Sequence, residues 1–129
     1  MKGIVSSFFS ILATYFVYLV GGIDISLISL VLVMCLDYIT GVMSAIYNKK
    51  LNSSVGFKGF IKKASYILIV ILAVILDRLL NNEGIVRTLV IYFFVANDGI
   101  SILENVGKMD IPLPNKLKEI LEQLKEKGE

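Results

Sequence analysis

The chain has 129 residues, a formal net charge of +2, 56% hydrophobic residues and a mean hydropathy of +0.77. So small a chain cannot bury that much apolar surface in a water-soluble core, so composition points to a membrane protein. The small net charge gives no ground for nucleic-acid binding, and the lack of histidine removes the commonest general base and metal ligand. The one cysteine, Cys35, precludes an intramolecular disulfide.

Four apolar runs follow in chain order, with predicted spans near 3–23, 25–48, 64–80 and 85–103. The first, "GIVSSFFSILATYFVYLVGGI", is uncharged and long enough to cross a hydrocarbon core about 30 Å thick. A signal peptide, with Lys2 as its basic start, is the competing reading. Length and the apolar sequence that follows favour a span. The second run, Ile25 to Asn48, is long enough to cross but carries Asp37 in its middle. The third is uncharged from Ala64 to Leu76, and Asp77 and Arg78 after it are expected to snorkel to a surface. The fourth is the weakest, with Arg87 near its start and Asp98 well inside.

Connections set the predicted topology. The segment "NKKLNSSVGFKGFIKK" holds Lys49, Lys50, Lys58, Lys62 and Lys63 and no acid, and reads as a cytoplasmic basic loop with Gly56 and Gly59 as turn residues. The tail is also lysine-rich. Lysines of short loops stay on the cytoplasmic side, so an even number of crossings must separate loop and tail. Four spans with both termini cytoplasmic satisfy that parity. The rival has three spans, with the fourth run lying on the membrane.

The predicted fold is therefore all-α: a transmembrane helical domain over 1–103 and a cytoplasmic, proline-containing amphipathic tail over 104–129. Pro112 and Pro114 stop the fourth helix from continuing, and Asn115 can cap a new one. Leu117, Ile120, Leu121 and Leu124 share one face of that helix. It can rest on the inner leaflet or form a contact between subunits.

Polar residues fall in stripes. Asp37, Thr40, Gly41, Ser44 and Asn48 share one face of the second run, at offsets 0, 3, 4, 7 and 11. Asn97, Asp98, Ser101, Glu104 and Asn105 repeat the design on the fourth, with Arg87 three turns earlier as a candidate ion-pair partner. Ser7, Ser10 and Thr14 make a milder stripe on the first run, read as packing. The third run is read as apolar all round. A charge at the centre of a membrane helix costs about 2.5–3.5 kcal/mol. Such faces either pack together through small and hydrogen-bonding residues, as Gly41 and Ala45 would allow, or line water. No phosphate-binding glycine loop, nucleophile–base pair or metal-ligand cluster is legible, so neither an enzyme nor a cofactor is expected.

Two stretches, "LDYITGVMSAIYNKKLNSSVGFKGFIKKASYILIVILAVILDRLL" and "FFVANDGISILENVGKMDIPLPNKLKEILEQLK", resemble the toxin-secretion/phage-lysis holin family. Asp37, Thr40, Gly41, Ser54, Gly56, Gly59, Lys62, Lys63, Ser101, Ile102, Glu104 and Asn105 match its pattern. Asp98 stands where that pattern more often has glutamate. The resemblance implies a homo-oligomer in the bacterial cytoplasmic membrane. It opens a lesion for a cell-wall hydrolase or a secreted toxin. Two alternatives are a small proton-coupled exporter, which would be expected to carry its key acid in the first helix, and a regulator that restrains a holin.

Overall fold

The structure is a computed structural model, describing residues 1–128. Its five helices are α1 (Lys2–Val20), α2 (Ile25–Tyr47), α3 (Ser53–Leu79), α4 (Ile85–Gly107) and α5 (Asn115–Gly128). The first four are long and apolar enough to cross a membrane. The all-helical expectation and its C-terminal helix are both met. Glu129, at the end of the expected tail, lies outside the described residues.

Local chemistry sets the helix ends. Gly21 takes the left-handed conformation (φ 82°) that L side chains avoid, and Gly21 and Gly22 donate back to the Tyr18 and Val17 carbonyls, ending α1. The Asp24 carboxylate accepts from Leu27 N at 3.0 Å and starts α2. Asn52 does the same for α3 through Val55 N at 3.1 Å. The cap of α4 comes from another helix: Asp77 Oδ1 and Oδ2 accept from Val86 N and Arg87 N, each at 2.9 Å. Asp77 is thus buried rather than snorkelling. Its carboxylate satisfies two of the orphan donors at the α4 N-terminus, and water could do so only at a surface. Arg78 does reach outward, stacking its guanidinium over the Tyr18 ring at 3.8 Å.

Two further expectations change. The basic segment is not a loop beyond Asn52, because α3 begins at Ser53, well before Ala64. The Asn52 cap nucleates the helix, and Gly56 and Gly59, expected in turns, are helical residues. Lys58, Lys62 and Lys63 therefore project from a helix, while Lys49 and Lys50 stay in the connection. The tail helix α5 begins at Asn115 itself and lies back along α4. A Cβ on Gly99 would fall 2.7 Å from Leu121 Cδ2, and one on Gly128 would fall 2.8 Å from Phe93 N. Leu121 of the α5 apolar stripe thus meets α4 within the same chain, while Leu117 and Ile120 stay exposed.

The fourth run is the centre of the bundle. α4 packs against α2, α3 and α5, and buries Ile91, Ala96, Asp98 and Gly99. That placement does not suit a helix lying alone on the membrane. The core is small: Val20, Leu27, Leu30, Tyr66, Val70 and Ile91. α1 touches the rest mainly through α3 and buries only Val20. Its Ser10 and Thr14 hydroxyls bond carbonyls of their own helix, at 2.9 and 2.8 Å, instead of packing against a neighbour. Cys35 is exposed.

Candidate functional site

Three helices bring their charges to one point. Lys63 of α3 bonds the carboxylates of both Asp37 on α2 and Asp98 on α4, the latter at 2.7 Å. Asp98 is 1% exposed and holds its other oxygen 3.0 Å from the Tyr66 hydroxyl. Asn97 Nδ2 donates to that same hydroxyl at 2.9 Å, and the Tyr66 ring stacks on Phe94 with centroids 4.0 Å apart. On the α2 side, Asn105 Nδ2 donates to Asp37 Oδ1 at 3.1 Å, and to Thr40 Oγ1 at 3.1 Å. Every buried side-chain nitrogen and oxygen among the described residues has a partner. Two carboxylates and one ammonium leave the trio with one formal negative charge.

Its depth follows from the helices. Asp37 and Asp98 lie about 18–20 Å along α2 and α4 from their first residues, at 1.5 Å per residue, inside segments long enough to cross a bilayer. Charge at that depth needs partners or water, and this cluster supplies partners.

The α2 and α4 stripes meet face to face. Asp37, Thr40, Gly41, Ser44 and Asn48 oppose Ser101 and Asn105 across the helix contact and the space beside it, Asp98 joins them through Lys63, and Asn97 turns to Tyr66 of α3 instead. A Cβ on Gly41 would stand 3.6 Å from Asn105 Nδ2, an ordinary contact distance, so the approach of the two helices does not depend on glycine there. Buried Ser44 accepts from Asn48, which also donates to the Lys108 carbonyl at 3.2 Å. Glu104 is exposed and stands apart from the network.

Arg87 does not pair with either intramembrane acid. Three turns is about 16 Å, too far for its side chain to reach Asp98. It turns instead to the α1–α2 connection, donating Nε to the Val20 carbonyl at 2.6 Å, one terminal nitrogen to Asp24 Oδ2 at 2.7 Å and the other to the Gly22 carbonyl at 3.0 Å. The guanidinium beside Asp24 holds that carboxyl below its ordinary value. The acids' partner is Lys63, which the sequence places in a loop and the structure in α3. Its signal was the spacing to Tyr66, one turn on, which places both on one helical face.

Beside the cluster a cavity of about 650 Å³ opens between the C-terminal parts of α2 and α4 and the N-terminal part of α3. Asp37 and Lys63 form part of its floor, and Lys50, Lys62 and Lys108 also line it.

Comparison with known proteins finds relatives along most of the chain. An uncharacterised 14.9 kDa protein of Clostridium perfringens, from the 3′ region of nagH, is 44% identical over 117 residues, covering 90% of this chain and 89% of the relative. A probable holin of Bacillus phage phi105 is 33% identical over 98 residues, covering 75% of this chain and 71% of the phage protein. No solved structure matches. The bacteriophage holin family matches residues 14–126, which take in all the charged positions of the cluster, and the chain belongs to that family.

Proposed function

We propose that this protein is a holin: it accumulates in the bacterial cytoplasmic membrane, oligomerises and opens a lesion through which a cell-wall hydrolase or a toxin leaves. The observation that carries the reading is Lys63 bridging Asp37 and Asp98. The polar faces of α2 and α4 are closed on each other around that bridge, which is what a harmless, accumulating state requires. The same faces can line water once subunits rearrange, because each already carries hydrogen-bonding groups along its length. Exposed apolar side chains of α1, among them Ile4, Phe8, Phe9 and Ile11, supply an outer surface for lipid or for a second subunit.

The docked tail supports the same reading. α5 lies against α4 with Lys118, Glu119, Glu122 and Glu126 exposed on its far side. Beside a membrane span those charges need water or polar partners rather than lipid, which neighbouring subunits of an oligomer can supply. In this proposal the N-terminus, the Lys49–Lys63 segment and the α4–α5 connection lie on the cytoplasmic side, and α5 runs back from there beside α4, bringing Gly128 next to Phe93 and Leu89. A charge within the membrane field responds to potential with about 2.3 kcal/mol per 100 mV, so depolarisation can weight the balance between paired and wetted faces.

The test is inducible expression in a bacterial host, with and without a co-expressed wall hydrolase. A holin gives an abrupt fall in culture turbidity that depends on the hydrolase, after a delay of normal growth. Continued growth at full protein level, or resistance to a toxic cation, overturns the proposal and favours a restraining regulator or an exporter respectively.

A further inference from the structure

The cavity beside the ion cluster has two chemistries. Lys50, Lys62 and Lys108 line it and carry no ion pair among the described residues. The one acid in its lining, Asp37, is already bonded to Lys63. The cavity therefore presents uncompensated positive charge. The rest of its lining is uncharged: Val42 and Ala45 on α2 face Val55, Gly56 and Gly59 on α3 as an apolar part, and Tyr38, Ser44, Asn48, Asn52, Ser101 and Asn105 add polar groups. α2 and α3 touch little, so the space between them is open along the helices. Gly56 and Gly59 help keep it so, since each lies against Tyr38 with no side chain of its own.

We propose that this cavity is a binding site for an anionic glycerophospholipid of the cytoplasmic leaflet. The phosphate sits among the three lysines, and the acyl chains leave between α2 and α3 along the apolar walls. Charge selects the headgroup: a phosphodiester with no compensating cation gains from the lysines, whereas a zwitterionic headgroup brings its own ammonium to meet them. The walls select a lipid over a free phosphate, which would leave the apolar part of the cavity unfilled. The proposal rests on membrane residence and on the basic face lying in the cytoplasmic leaflet. It does not depend on lesion formation.

The experiment is thermal unfolding of the purified full chain in neutral detergent, followed by circular dichroism. The additives are dioleoylphosphatidylglycerol, dioleoylphosphatidylcholine or inorganic phosphate. Phosphatidylglycerol is expected to raise the midpoint by several degrees, and the other two to leave it nearly unchanged. Lys62→Gln with Lys108→Gln should retain less than half of that rise. Lys116→Gln with Lys118→Gln removes the same charge from the tail, away from the cavity, and should retain nearly all of it. Ala45→Phe fills the apolar wall without altering charge and should also abolish the rise, so the site stays testable if the lysine pair misfolds. Equal effects of the two lipids, or equal loss in the two lysine pairs, would overturn the proposal in favour of general surface attraction. A rise reproduced by inorganic phosphate would overturn it in favour of a free-anion site. Lysis in culture is scored separately, so a failure here leaves the holin reading intact.

Discussion

Lys63 Nζ lies 2.7 Å from Asp98 Oδ2 and also bonds Asp37, so one ammonium serves carboxylates from two other helices. All three side chains are largely shielded, with 13%, 12% and 1% exposure for Lys63, Asp37 and Asp98. Removing the cation leaves two acids facing each other with no neutralising charge. Breaking a buried pair from one side costs about 3–5 kcal/mol. Lys63→Met is therefore expected to destabilise the closed bundle by that order. Asp98→Asn keeps a neutral Lys63–Asp37 pair and should cost less than Lys63→Met. Unfolding titrations in mixed detergent give the ranking, and equal stability of Lys63→Met and the parent chain would refute the bridge.

Asp37→Asn is expected to shift the onset of lysis while leaving membrane insertion intact. The substitution preserves shape and can still accept from Asn105, whose Nδ2 lies 3.1 Å from Asp37 Oδ1, but it removes one of the two charges that hold Lys63. Onset time at matched protein level is the readout. Unchanged timing would remove Asp37 from the switching step, whatever its part in packing.

The sequence made the helices and the polar stripes legible because both are periodic. Asp37, Thr40 and Ser44 recur at helical spacing whatever they touch. What those stripes meet was not legible, since partner choice depends on where other helices begin. Lys63 looked like loop because Gly56, Gly59 and four other lysines share its segment, and the cap at Asn52 starts α3 early enough to carry it into the bundle. Asp77 misled for the opposite reason. Its position at the end of an apolar run suggests a surface, but the turn to α4 brings two backbone donors onto its carboxylate. Arg87 was visible as a charge in need of an acid. Its choice of Asp24 requires the α1–α2 turn to fold beneath it.

The contact between α4 and α5 can be broken by volume alone. A Cβ on Gly99 would stand 2.7 Å from Leu121 Cδ2 and 3.2 Å from its Cδ1. Leu121 can swing away from a single methyl group, so Gly99→Ala should be mild. Gly99→Val adds two further carbons and is expected to release α5 from α4. Digestion with a lysine-specific protease, comparing cleavage at Lys116, Lys118 and Lys125 with the parent chain, should then run several-fold faster. Equal rates would mean that α5 is not held at Gly99.

The Arg87–Asp24 pair gives a pH signature at the other end of the bundle. Asp24 is the N-cap of α2, and the Arg87 hydrogen bonds, aided by the Leu27 amide, lower its pKa below the ordinary 3.8. A carboxylate whose folded pKa is depressed contributes stability that is complete above its unfolded pKa. That contribution disappears as pH falls through the folded value. Unfolding midpoints should therefore be insensitive to this group above about pH 4 and decline below it. With the Asp24 side chain about half exposed (49%), solvent screening keeps the effect to about 1 kcal/mol or less. Asp24→Asn should flatten that part of the acid limb, and an acid limb identical to the parent's would refute the contribution.

Gly21 sits under the same guanidinium. Its φ of +82° is costly for any L side chain, and a Cβ there would lie 2.8 Å from Arg87 Nε, 2.9 Å from Arg87 Cδ and 3.0 Å from Val74 Cγ2. The left-handed backbone alone costs about 1–2 kcal/mol. The clash adds to this, because Arg87 is fixed by the Val20 carbonyl, Asp24 and the Gly22 carbonyl, and cannot retreat without giving up bonds. Gly21→Ala should therefore destabilise the bundle more than Gly22→Ala, whose Cβ would meet nothing within 4 Å at φ +103°. The second variant pays only for its backbone. A double variant, Gly21→Ala with Arg87→Ala, separates the two costs. If the arginine clash contributes, the loss from Gly21→Ala is smaller in the Arg87→Ala background than in the parent. Strict additivity of the two losses would assign the effect to backbone strain and the Val74 contact, with no share from Arg87.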